Sequence, residues 1–166
     1  KMSSRTGENI LYSDFMKEMK DYAKSEILKR EKLSAEELED RALRISIAAI
    51  KYAMLKQSIN STIVFNKEEA LNFEGNTGPY LLYSYARAKS ILRKSKNKNK
   101  LEIKEINEKE KNLINELAKF PDIVNHSYAN LAPNIIANYA YQLSQSFNEF
   151  YHNTKVIGSD NEQARL

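Results

Sequence analysis

Residues 73–91 constrain this chain more than any other stretch. They read Phe-Glu-Gly-Asn-Thr-Gly-Pro-Tyr-Leu-Leu-Tyr-Ser-Tyr-Ala-Arg-Ala-Lys-Ser-Ile. Two glycines and a proline force a tight turn, and the turn runs straight into helix-forming sequence. Pro79 suits a first helical position, because it has no N–H to lose there and its φ is already helical. In the helix that follows, Tyr80, Tyr83 and Arg87 fall at i, i+3 and i+7, on one face. Two aromatic rings beside a guanidinium can stack on flat rings and pair with phosphate. The same spacing also fits plain packing, with the tyrosines in a core and Arg87 reaching out to solvent along its aliphatic stem. Spacing alone leaves both readings open.

Elsewhere chain breakers are scarce. The 166 residues hold only four glycines and three prolines, while Ala, Leu, Lys and Glu are plentiful, which predicts a mostly helical chain. The length is enough for one domain with a real core. No run approaches the roughly 18 apolar residues of a membrane helix, and the start carries no signal-peptide pattern, so no membrane partner is expected. Cysteine is absent, which removes disulfides and cysteine zinc sites and is compatible with the cytoplasm. Only two histidines occur, His126 and His152, and neither has a sequence neighbour that suggests acid–base work or metal ligation, so no metal site is expected. The net charge of +4 suits an anionic partner without demanding one.

Taken in order, residues 1–9 read as a polar loop and 10–12 as an extended lead-in. A first helix is expected with Ser13 or Asp14 as its N-cap and Phe15, Met19, Tyr22, Ala23 and Ile27 on its apolar face. Ser34-Ala-Glu-Glu37 is a capping box, opening a helix to about residue 57 that is apolar over most of its circumference and therefore central to the core. Residues 58–65 are β-branched and short, and are expected to lie extended against the core. Asn66-Lys-Glu-Glu69 caps a short helix to about residue 72. Glu74 and Asn76 are read as pinning the turn before the 79–94 helix. The positive run at Arg93, Lys94, Lys96, Lys98 and Lys100 fits a solvated loop or a phosphate contact. Asn107 caps a helix to about residue 120, with Glu110 at N3 and Leu113, Ile114, Leu117 and Ala118 inward. Pro121 opens another, and Pro133 opens the last full helix, to about residue 154, with Phe147 and Phe150 in its apolar stripe. Tyr85 and Phe147 are read as core. Ser159 is offered as the cap of a following helix that stops short at residue 166. The Lys-Met start and this shortened end fit a piece of a longer protein. The total is an all-α helix bundle.

Two motifs go further. Lys1-Met-Ser-Ser4, continuing Arg-Thr-Gly, resembles the KMSKS loop of class I aminoacyl-tRNA synthetases in the form common among the arginyl enzymes. The segment from Phe73 to Arg87 resembles the same enzymes around the first helices of their anticodon-binding domain. Phe120-Pro-Asp-Ile-Val, then the stretch from Pro133 to Phe150-Tyr151, follow in that family's order. The likeness covers nearly the whole chain.

The resemblance implies an all-α bundle of the class I synthetase anticodon-binding type, with residues 1–12 a remnant of the catalytic domain and its KMSKS-type loop. Residues 13–166 would be the anticodon-binding domain, with its C-terminal helix missing. The parent would be an arginine–tRNA ligase, cytoplasmic and monomeric, joining L-arginine to tRNA-Arg with ATP and Mg²⁺. In that family the loop closes over ATP and stabilises the leaving pyrophosphate. The implied loop residues are Lys1, Ser3 and Ser4; Ser4 stands where a second lysine is usual. The HIGH motif and the arginine pocket are not in the sequence, so this chain alone is expected neither to catalyse nor to bind ATP or Mg²⁺. By the same likeness Tyr80, Tyr83, Arg87 and Tyr151 would face the anticodon loop, where aromatic stacking on splayed bases is the usual mode. One turn past Tyr151, where some relatives carry a second aromatic, Lys155 would touch phosphate. The rival reading is a non-catalytic helical interaction module with no RNA role.

Overall fold

The computed structural model describes residues 11–95, 105–159 and 162–165. Among them every regular element is an α-helix: α1 (Tyr12–Leu28), α2 (Ala35–Leu55), α3 (Lys67–Ala70), α4 (Gly78–Lys94), α5 (Glu108–Ala118), α6 (Phe120–Ala129), α7 (Pro133–Asn153) and α8 (Glu162–Arg165). The expected all-α class holds. The loop residues Lys1, Ser3 and Ser4 lie outside the described residues. The chain forms two compact units, one of residues up to 53 with 64–79, the other of 54–63 with 80 onward.

The first unit is built by α1 and α2. Met19, Ala23 and Ile27 repeat at helical spacing on α1 and meet Ala42 and Ala49 of α2, with Ala70 and Leu71 completing the cluster. Alanine at 23, 42 and 49 presents only a methyl group, so the helices pack closely. α2 opens on the expected capping box, with the Glu37 amide donating to Ser34 Oγ at 3.3 Å and the Ser34 amide to the Glu37 carboxylate at 3.4 Å. α3 opens on Asn66, which accepts from the Glu69 amide at 3.0 Å.

Two expectations for this part of the chain fail. α1 begins at Tyr12 with Leu11 in the cap position and no side-chain cap, because Ser13 Oγ turns to the neighbouring Asp14 carboxylate. Asp14 still sits in the first turn, where its charge suits the helix dipole. Residues 58–65 do not pack as an extended segment: Ile59, Ile63 and Val64 are exposed. A turn closed by the Ser61 amide on the Ser58 carbonyl breaks the run, and no strand among the described residues offers it a ladder. Only Phe65 turns in, edge-on to Phe15 at 5.1 Å.

The turn before α4 is held by more than the two residues expected. Thr77 Oγ1 donates to the Asn72 carbonyl at 2.5 Å, the Glu74 amide donates to Asn72 Oδ1 at 2.9 Å, and the Tyr52 hydroxyl donates to Asn76 Oδ1. Asn76 thus has the structural role expected of it, while the Glu74 side chain is exposed and Asn72 does the pinning. Gly75, at φ 93, supplies the left-handed step.

In the second unit α7 is the axis, with α5 and α6 packed along it. α5 opens on a complete capping box of Asn107 and Glu110. Tyr139 of α7 is buried, with its hydroxyl donating to the Glu116 carbonyl at 2.8 Å. The expected inward face of α5 is not covered: Ile114 and Leu117 are 52% and 53% exposed, and Tyr85, read as core, is 62% exposed. With half-buried Phe147 they line an open apolar groove of about 480 Å³. Ser159 does not cap α8, since its hydroxyl donates back to the Val156 carbonyl.

The corner of this unit is tied by two carboxylates. Arg165 donates to Glu110, and the Gly158 amide and Ser95 hydroxyl donate to Glu162 at 2.6 and 2.7 Å. Burial works against a charged Glu110, but Arg165 and the Asn107 amide outweigh it and hold its pKa below the ordinary 4.5. The Gly158 amide and Ser95 hydroxyl likewise hold Glu162 below 4.5. Carboxylates depressed in this way stabilise the fold above their unfolded value, and that contribution is lost as pH falls through the folded value. Acidification below 4.5 is therefore expected to loosen this corner. Glu110→Gln should destabilise the neutral protein by about 2 kcal/mol and blunt its acid sensitivity, which denaturant titration across pH would measure.

Candidate functional site

α4 carries Tyr83 and Arg87 one helical turn apart, so ring and guanidinium meet by helix geometry alone. The Arg87 guanidinium carbon lies 4.4 Å from the Tyr83 ring centroid, and an Arg87 N–H donates to the Tyr83 hydroxyl. The last turn of α7 brings Tyr151 to the other side, 4.5 Å from the same carbon. The result is a cation between two rings, each worth about 0.5–2 kcal/mol as a cation–π contact. The chain leaves α7 at Thr154, whose amide donates to the Phe150 carbonyl at 2.9 Å. That exit sets Lys155 on the rim.

These residues line a groove of about 600 Å³, within the range of ligand clefts. Lys94, from the last turn of α4, adds a third cation beside Arg87 and Lys155, and no carboxylate lines the groove among the described residues. Tyr83 is 50% exposed and Tyr151 40%. The rings therefore keep accessible surface for a flat partner, while the three cations give the groove a positive potential toward anions. Such a surface can stack unpaired bases and pair with their phosphates.

Of the residues singled out from sequence, Tyr83, Arg87, Tyr151 and Lys155 come together. Tyr80 does not line the groove. It is half-buried, edge-on to Tyr141 at 5.5 Å, and its hydroxyl accepts from Asn148 at 3.0 Å. Its position at i−3 from Tyr83 turns it toward α7. Sequence reasoning missed Asn148, a buried amide at the centre of this contact. The available signal was an asparagine inside the apolar stripe, between Phe147 and Phe150. Among the described residues no cluster of acidic or histidine side chains could hold a metal ion.

The sequence pattern of the DALR anticodon binding domain matches residues 81–166, which fall within the second unit. The chain is similar over its whole length to the arginine–tRNA ligase of Bacteroides thetaiotaomicron, at 36% identity over 175 aligned residues, and covers 29% of that protein. It is 36% identical to the arginine–tRNA ligase of Flavobacterium psychrophilum over 170 residues, again across all of this chain and 28% of the relative. The solved arginyl-tRNA synthetase of Thermus thermophilus superposes with a TM-score of 0.80 at 28% identity, over 93% of this chain and 26% of that one. The arginyl-tRNA synthetase of Plasmodium falciparum gives 0.79 at 33% identity, over 95% and 29%. The chain thus spans less than a third of the length of each of these relatives.

Proposed function

The chain belongs to the DALR anticodon binding domain family, and from that premise we propose that it is the tRNA-reading part of an arginine–tRNA ligase. The observation that carries the proposal is the groove of Tyr83, Arg87, Tyr151 and Lys155, which lies inside the stretch the family pattern matches. Rings with accessible surface beside three cations, with no carboxylate lining the groove among the described residues, suit a splayed single-stranded loop. The partner is tRNA-Arg. Tyr83 and Tyr151 stack on bases of the anticodon loop, Arg87 and Lys155 meet its phosphates, and Tyr80 supports them from behind.

The parent enzyme would join L-arginine to that tRNA with ATP and Mg²⁺, as a cytoplasmic monomer. Residues 1–12 would supply the ATP-phosphate loop through Lys1, Ser3 and Ser4, and residues 13–166 the anticodon-binding part. No described residue is assigned to Mg²⁺. The apolar groove beside α5 favours the rival reading of a protein-interaction module, but its lining cation, Arg165, is paired with Glu110, and carboxylates line it where the first groove has none among the described residues.

Titration of the chain with tRNA-Arg transcripts altered at one anticodon base at a time tests the proposal. Affinity should fall for at least one altered base; equal affinity for all of them removes the base-reading role. Tyr151→Ala should weaken binding by roughly 5- to 100-fold through lost stacking. Because no charge is removed, the dependence of affinity on salt should stay nearly the same.

A further inference from the structure

Asn148 is polar, buried and placed where α7 presents its apolar stripe. Its amide nitrogen donates to Ser84 Oγ at 2.7 Å and to the Tyr80 hydroxyl at 3.0 Å, and its oxygen accepts from Arg87. The direction of the amide is not arbitrary. The Ser84 hydroxyl donates its single hydrogen to the Tyr80 carbonyl at 3.0 Å, so toward Asn148 it can only accept. Turning the amide over would set its oxygen against the Ser84 lone pairs and its N–H groups against the guanidinium. The guanidinium has only donors to offer, so the Asn148 oxygen faces Arg87 while its N–H groups face Ser84 and Tyr80.

We propose that Asn148 is the positioning residue of the groove, holding the Arg87 guanidinium between the rings of Tyr83 and Tyr151 without cancelling its charge. Arg87 is fixed at two points, by the Asn148 oxygen and by the Tyr83 hydroxyl. A planar guanidinium fixed at two points cannot turn out of the plane it shares with them. A carboxylate in the place of Asn148 would hold the same N–H groups more strongly, but it would neutralise the cation. A neutral amide oxygen orients Arg87 and leaves its field available to a phosphate. Tyr80 and Ser84 act behind Asn148, which gives Tyr80 a place in the groove's function without lining it.

This inference rests on the groove being the RNA site, and the test separates the two. The Arg87 Nε–H proton is recorded by NMR in the full chain, with its shift displaced by the flanking rings, and the affinity for a tRNA-Arg transcript is measured across salt concentrations. In Asn148→Leu the proton should lose its ring-induced displacement and affinity should fall about tenfold. In Asn148→Asp, which keeps an oxygen toward Arg87 and guards against a variant that fails to fold, the displacement should remain. The salt slope of RNA affinity should then drop by about one phosphate contact. An unchanged Arg87 proton in Asn148→Leu overturns the positioning role, whatever the affinity does. An Asn148→Asp variant that keeps both slope and affinity overturns the need for a neutral partner. If the proton shifts in Asn148→Leu while affinity stays put, the positioning role stands and the groove is not where RNA binds.

Discussion

Gly78→Ala is expected to destabilise the protein by about 3 kcal/mol or more. A Cβ at residue 78 would lie 2.2 Å from the Ala48 carbonyl oxygen, 2.5 Å from its carbon and 2.9 Å from the Ala49 nitrogen. All three are backbone atoms inside α2, held by its hydrogen-bond ladder, and none can rotate aside. Glycine is needed here because two backbones touch, not because φ is positive. Pro79 next to it is fully buried, so the start of α4 cannot slide outward without opening packed surface. Gly75→Ala is the natural control. Its φ of 93 strains an alanine by about 1–2 kcal/mol, but nothing lies within 4 Å of the new methyl. Denaturant unfolding of the two variants should rank them in that order. A Gly78→Ala variant as stable as the parent would mean that α2 and the start of α4 do not meet as described.

Arg87→Ala is expected to lower the affinity for tRNA-Arg by about tenfold to a hundredfold, the range of a hydrogen-bonded charge removed from a binding site. Three losses coincide: the phosphate partner, the filler between Tyr83 and Tyr151, and the donor to the buried Asn148 oxygen. The salt slope should fall by about one contact, which separates this variant from Tyr151→Ala. The orphaned Asn148 oxygen should also lower stability by about 1–3 kcal/mol. Arg87→Lys keeps the charge but not the planar fork, so its salt slope should stay near the parent's while its affinity falls between the two. If Arg87→Ala bound tRNA-Arg as tightly as the parent, the groove would hold no phosphate at this point.

Local chemistry was legible in the sequence wherever the partners are near neighbours in the chain. Ser34 with Glu37, Asn66 with Glu69 and Asn107 with Glu110 are caps closed within one turn, and all three form. Tyr83 with Arg87 is likewise a matter of one helical turn. Their meeting with Tyr151 and Lys155 depends on how α7 lies beside α4, and only the family likeness pointed to it. Asn148 escaped notice because its value depends on Ser84, Tyr80 and Arg87, which reach it through tertiary packing. Periodicity gathered the apolar residues of α5 but did not find its inward side: Ile114 and Leu117 line an open groove and Ala118 is exposed, while the buried residue of the helix is Glu110. Ser13 and Ser159 were plausible caps by residue type, yet each hydroxyl bonds elsewhere.

The most direct test of the proposed RNA role of the Tyr83–Tyr151 groove is a side-chain NMR titration of the full chain with tRNA-Arg. The ring protons of Tyr83 and Tyr151, the Nε–H of Arg87 and the terminal methylene protons of Lys155 are expected to shift together and saturate at one stoichiometry. Shifts confined to the apolar groove at Ile114, Leu117 and Tyr85, with those four side chains unmoved by saturating tRNA, would contradict that role.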